Sequence, residues 1–253
     1  MLSVALVWGG LLARPVIATD SVVPSKTPLH PLETPYQYRD RPSSDGIGKV
    51  YLGREIAKVM GYEGAGWLER VGRERQEKPS VAIAALDLHP DDVVADIGAG
   101  TGYFSTRLAE QIPNGTILAV DVQPEMIDIL GWMKTEYQLN NLRPVLAEVQ
   151  DPHLPDHGVD VVLMVDVYHE LAYPYEVMQK IVQALKPGGR VVVLEYRAEN
   201  PLVLIKRLHK MSLAQLRREM ARVGLELRAS PHILPQQHYA VFTLNSADIE
   251  SVD

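Results

Sequence analysis

The stretch VVADIGAGTGYFSTRLAE, residues 93–110, constrains the fold more than any other part of the chain. A short apolar, β-branched run ends at Asp96. Gly98, Gly100 and Gly102 follow at alternate positions, and an amphipathic segment starts at Tyr103. An apolar run this short, bounded by glycine, reads as a strand buried on both faces. Strand, glycine turn and helix in that order open a βαβ unit, which requires a parallel sheet covered by helices.

The alternation continues downstream. Strands are expected at 116–122, 143–149, 159–165 and 190–196. Helices are expected from Pro124 to about Gln138, over 174–185 until KPGG stops it, and over 212–223 with Ser212 as cap and Gly224 as terminator. Two last strands, 226–229 and 239–244, have no helix between them and are therefore antiparallel. The main domain spans 91–245, followed by a tail at 246–253. Ahead of it, 46–90 reads as an N-terminal helical cap broken at GYEGAG and Pro79, and 19–45 as a Pro/Ser/Thr-rich linker. Residues 1–18 read as a signal peptide or an apolar leader. The Leu2–Leu12 run is too short to span a bilayer, no Lys or Arg precedes it, and Arg14 follows. A true signal would export the protein; otherwise it is cytoplasmic. The leader would also allow membrane association.

The chain contains no cysteine, which rules out disulfides, thiolate metal sites and a cysteine nucleophile. The net charge of -7 argues against nucleic acid as partner, since phosphate tracking needs a basic excess. His153 and His157 flank Pro155 in a loop without the carboxylate-plus-His pattern of a metal centre, and no metal site is expected.

The glycines let backbone approach a ligand closely. They depart from the dinucleotide fingerprint, because Tyr103 stands where its third glycine belongs. A carboxylate at Asp96 repels a pyrophosphate and attracts a cationic head group. Asp121, ending TILAVD, is placed to accept hydrogen bonds from the vicinal hydroxyls of a ribose. A cationic head, a ribose and no phosphate describe S-adenosylmethionine.

At this point the sequence resembles the class I S-adenosylmethionine-dependent methyltransferases over about residues 80–245. DIGAGTGYFS is similar to their first motif and AVDVQPEMID to their acidic ribose motif. DVVLMVDVYHEL is similar to the fourth-strand motif and LKPGGRVVVLEY to the fifth, all in family order. The resemblance implies an α/β, Rossmann-like, seven-stranded and mostly parallel sheet with one antiparallel strand and helices on both faces. It implies cofactor contacts from Asp96, Gly98, Gly100, Gly102 and Asp121, with Met126 lining the adenine pocket and Asp151 near the adenine amino group. Asp166, Tyr168, His169 and Glu170 emerge where the transferred methyl would sit. Asp166 is counted with the cofactor residues. His169 is the candidate general base, because its ordinary pKa lies near neutrality. His209 and Lys210 with Arg197 and Lys206 could form a cationic patch, although a solvated face is the plainer reading. The expected acceptor is a small organic molecule, quinone-like or lipid-like. A nicotinamide-dependent oxidoreductase and a non-catalytic cofactor-binding scaffold are the competing readings.

Overall fold

The computed structural model describes residues 34–245 of the 253-residue chain. The leader (1–18), the first part of the linker and the 246–253 tail lie outside the described residues. Three strands come first: β1 (Tyr36–Tyr38), β2 (Gly46–Tyr51) and β3 (Arg54–Ala57), an antiparallel sheet in that order. Short helices follow: α1 (Ala65–Leu68), α2 (Arg73–Glu77) and α3 (Pro79–Ala84). The main domain then runs β4 (Val93–Ile97), α4 (Tyr103–Gln111), β5 (Thr116–Asp121), α5 (Pro124–Glu136), β6 (Leu142–Leu146) and β7 (Val159–Val165). It ends with α6 (Pro174–Ala184), β8 (Leu185–Tyr196), α7 (Leu213–Ala221), β9 (Leu225–Ala229) and β10 (Gln237–Leu244).

The strand order of the large sheet is β6-β5-β4-β7-β8-β10-β9, and β10 runs antiparallel to both neighbours. This is the expected Rossmann-like sheet with one antiparallel strand. The pleat sends alternate side chains to opposite faces. Val161 and Leu163 of β7 with Val192 and Leu194 of β8 meet α3, α4 and α5 through Ile83, Leu108 and Leu130. Val162, Met164, Val191 and Val193 meet α6 and α7 through Ile181, Leu216 and Met220. The central strands are mainly apolar because neither face sees water.

The expectation of linker to residue 45 and helix from 46 is corrected over residues 36–57. VYLGREI is a hairpin whose two-residue turn, Leu52-Gly53, has positive φ at both positions (46° and 87°). That is the turn conformation whose twist suits a tight hairpin. Tyr51 and Ile56 pack with Tyr36, Tyr173 and Tyr175. Arg54 fixes this sheet to the main domain. Its Nε and Nη2 donate to the two carboxylate oxygens of Glu219 on α7, each at 2.8 Å, and its Nη1 donates to the His169 carbonyl at 3.0 Å. No helix among the described residues is long and apolar enough to cross a membrane.

Candidate active site

In open α/β sheets the crevice forms where strand connections diverge, at the C-terminal strand ends. Here that point lies between β4 and β7, and a cavity of about 740 Å³ opens beside it. This lies within the range of small-molecule sites.

The glycine turn forms one wall. Gly98 has φ +68°, and a Cβ there would stand 2.4 Å from Val167 Cγ2. Gly100 has φ +55°, and its Cβ would meet Leu68 at 2.7 Å. Glycine at these two positions satisfies both the left-handed backbone and the close approach. The Gly98 and Ala99 amides donate to the Val120 carbonyl at 2.8 and 2.9 Å, tying the turn to β5. Asp121 at the end of β5 accepts from the Gly100 amide on Oδ2 (2.9 Å) and from the Gln123 amide on Oδ1 (3.0 Å). One backbone donor per oxygen leaves acceptor capacity on both, and Asp121 faces the cavity. Burial raises its pKa, and the amide bonds work against that rise.

Gly98, Gly100, Asp121, Met126, Asp166 and His169 all line the cavity. Three expected residues do not. Asp96 lies under the turn, buried, accepting from Ser105 Oγ at 2.6 Å. Burial pushes its pKa up to about 6 against the opposing pull of Ser105 and Arg73. Gly102 starts α4 with φ +85°, and its missing Cβ makes room for Leu130. Asp151 spends one oxygen on the His153 amide (2.8 Å) and faces Lys180 at 3.7 Å, while its neighbours Glu148, Val149 and Pro152 form the cavity wall. The cationic patch weighed against a solvated face is dispersed: Lys206 pairs with Asp45 at 2.7 Å, Arg197 donates to the Leu234 and Pro235 carbonyls, and Lys210 donates to the Val203 carbonyl.

Asp166 follows β7 with φ +51°. Its Oδ2 accepts from Gln237 Nε2 at 2.7 Å, while its buried Oδ1 has no partner. Burial raises its pKa, helped by Glu77 and Glu195. Next comes the 3₁₀ turn Tyr168–Glu170. His169 is buried, with Nδ1 at 2.7 Å from Glu195 Oε2 of β8 and Nε2 at 3.0 Å from His209 Nδ1. Burial pulls its pKa down, but Glu195 and Glu170 outweigh burial and carry it up to about 10. Glu170 is held down to about 2 by His169 and His209 despite its own burial. Both ring nitrogens of His169, the candidate base, are engaged, Nδ1 with Glu195 and Nε2 with His209.

Asp45, Glu195 and His209 were missed as a group by sequence reasoning. They come from the turn before β2, from the C-terminal end of β8 and from the 3₁₀ turn Arg207–His209, and only tertiary folding joins them. Tyr196, Glu77 and Arg70 close another wall: the Tyr196 hydroxyl donates to Glu77, which also pairs with Arg70 and Arg73.

Residues 95–191 match the family model of a methyltransferase domain. An uncharacterised methyltransferase of Mycobacterium tuberculosis is 34% identical over 124 residues, 48% of each chain. A ubiquinone/menaquinone biosynthesis C-methyltransferase of Ectopseudomonas mendocina is 27% identical over 48% of each chain. The chain thus spans about half the length of these curated relatives. The solved structure of an S-adenosylmethionine-dependent methyltransferase from Aquifex aeolicus superposes with a TM-score of 0.67 at 20% identity, covering 73% of this chain and 100% of that one. Residues 95–191 thus match a methyltransferase domain in sequence, and the sheet around them shares the fold of a solved S-adenosylmethionine-dependent methyltransferase.

Proposed function

We propose that the protein transfers the methyl group of S-adenosylmethionine to a small organic acceptor with a quinone-like or lipid-like apolar body. The observation that carries this reading is the pairing of the Gly98–Gly100 turn with Asp121 at the mouth of the cavity. A Cβ at either glycine would fill the space a ligand needs, and Asp121 keeps free lone pairs directed at that space. Asp166 adds a buried, unpartnered oxygen on the same wall.

S-adenosylmethionine supplies a methyl carbon already activated by its sulfonium. This chain then has three tasks: to bind, to align and to keep water out. Asp121 is proposed to accept from the ribose hydroxyls, and Met126 to flank the adenine. Asp166 is proposed to face the amino-acid end, with Asp96 contributing its field from beneath the turn. Val167, Leu171, Val177, Leu204 and Ile205 give the rest of the cavity an apolar lining, which suits an apolar acceptor body. Both His169 nitrogens have partners already, which favours alignment over proton abstraction as the source of the rate.

Isothermal titration with S-adenosylhomocysteine tests the binding half. The wild-type chain is expected to bind it, and Gly98→Arg and Asp121→Ala to lose it. Equal affinity in all three would end this reading. Reduced nicotinamide dinucleotide, titrated by fluorescence, is expected not to bind; binding would favour the oxidoreductase. Turnover of methyl-labelled cofactor in a cell extract would separate an enzyme from a cofactor-binding scaffold and reveal the labelled acceptor.

A further inference from the structure

Beyond the cofactor wall, three electron-pair donors converge on one point of the cavity. His169 Nε2 lies 3.0 Å from His209 Nδ1, His209 Nδ1 lies 3.1 Å from Glu170 Oε1, and Glu170 Oε1 lies 3.6 Å from His169 Nε2. These residues are the single group of convergent ligand atoms among the described residues. A circle through the three atoms has a radius of about 1.9 Å. A cation bonded to each at about 2.1 Å, the usual Zn–N and Zn–O length, would sit about 1 Å off their plane.

The outer atoms hold the three donors facing inward. His169 Nδ1 faces Glu195 Oε2 at 2.7 Å, and Glu195 Oε1 also accepts the His169 amide at 3.1 Å. His209 Nε2 stands 3.0 Å from Asp45 Oδ2. Glu170 Oε2 accepts the Met60 amide at 3.1 Å. Each imidazole thus has a carboxylate beside its far nitrogen, hydrogen-bonded at His169 and at 3.0 Å without hydrogen-bond geometry at His209. A bound cation would displace the proton held at the near nitrogens, while the outer carboxylate keeps the far N–H and so orients the ring. A single shared proton can bridge one pair of donors, whereas one cation satisfies all three.

We propose that His169, His209 and Glu170 form a binding site for one divalent transition-metal ion, with Glu195 and Asp45 orienting the two imidazoles. Two His and one carboxylate on a single face leave coordination positions open, and imidazole with carboxylate suits zinc or iron(II). All three ligands line the cavity, so the open positions face the space assigned to the acceptor. The acceptor class narrows to molecules carrying a hydroxyl or enol oxygen able to ligate the ion. This last step, unlike the metal site itself, rests on the proposed methyl transfer.

The test uses the full chain, stripped with chelator and titrated with zinc by calorimetry, with bound metal counted by mass spectrometry. One equivalent with a Kd tighter than about 10 μM is expected. His209→Ala and Glu170→Gln should weaken it at least 100-fold. Glu195→Gln and Asp45→Asn should weaken it by about 10- to 100-fold and alter the visible spectrum of the cobalt-substituted protein. Thermal melting checks that each variant is folded, and Asp45→Asn, in a surface turn, serves if the buried variants are not. No binding by the folded wild type, or binding unchanged in the variants, overturns the proposal; the first outcome leaves a bridging proton, the second an adventitious ion elsewhere. Zinc binding without S-adenosylhomocysteine binding would uphold the metal site and reject the methyltransferase reading.

Discussion

Asp96 is a carboxyl group stored where its charge is unwelcome, and this has a measurable cost. Burial raises its pKa from 3.8 to about 6. A folded-state value above the unfolded one means that the native state binds the proton more tightly. Its contribution therefore favours folding at low pH and is withdrawn as the pH rises from the unfolded pKa through the folded one. At about 1.4 kcal/mol per unit, the full loss is about 3 kcal/mol, of which about 2 kcal/mol accrues between pH 4 and pH 7. Asp96→Asn removes the titration while keeping an oxygen to accept from Ser105. The check is urea unfolding of both proteins at pH 4 and pH 7. The stability difference between variant and wild type should move by about 2 kcal/mol in the variant's favour at the higher pH. Other titrating groups are common to both proteins and cancel. A difference that stays constant across this window, or moves the other way, would refute the assignment of a buried, destabilised carboxylate.

Gly98→Ala forces a Cβ to 2.4 Å from Val167 at φ +68°; a loss of about 1–3 kcal/mol in urea unfolding, with weakened S-adenosylhomocysteine binding, is expected. Asp121→Asn sets an amide against the Gly100 N–H, and calorimetry should show at least a tenfold loss of cofactor affinity, about 1.4 kcal/mol, in a chain that still folds. Arg54→Ala strands buried Glu219 and should cost about 3–5 kcal/mol. The double variant Arg54→Met/Glu219→Leu should unfold at higher urea than the single one, because it leaves no unpaired buried charge.

The parts of the fold legible in the sequence were those with a local cause. The β4–α4 glycines, the apolar β7 and β8, Pro124 at a helix start and Ser212 as a cap, accepting from Gln215 at 3.1 Å, all announce themselves within a few residues. The β2–β3 hairpin was overlooked because Leu52-Gly53 lacks the Asn-Gly or Asp-Gly pair that marks such turns, and VYLGREI shows no apolar/polar alternation. In the site, Asp121 and Met126 were readable because they sit at a strand end and a helix start that contribute to the crevice by topology alone. Asp96 and Asp151 had the right positions along the chain, but their side chains turned toward Ser105 and Lys180. The proposed metal ligands and their supports had no local pattern: Asp45, His169, Glu170, Glu195 and His209 are separated by more than 160 positions from first to last and meet only after the small sheet docks.

The matched segment ends at residue 191, inside β8. It therefore excludes Glu195, His209, the antiparallel β10 that covers the open side of β8, and the Arg54 clasp from the opposite end of the chain. A fragment trimmed to that segment would bare a hydrogen-bonding strand edge and invite aggregation. The segment that matches the family model and the segment that leaves no edge of β8 bare are thus different objects in this protein, and an expression design has to follow the second.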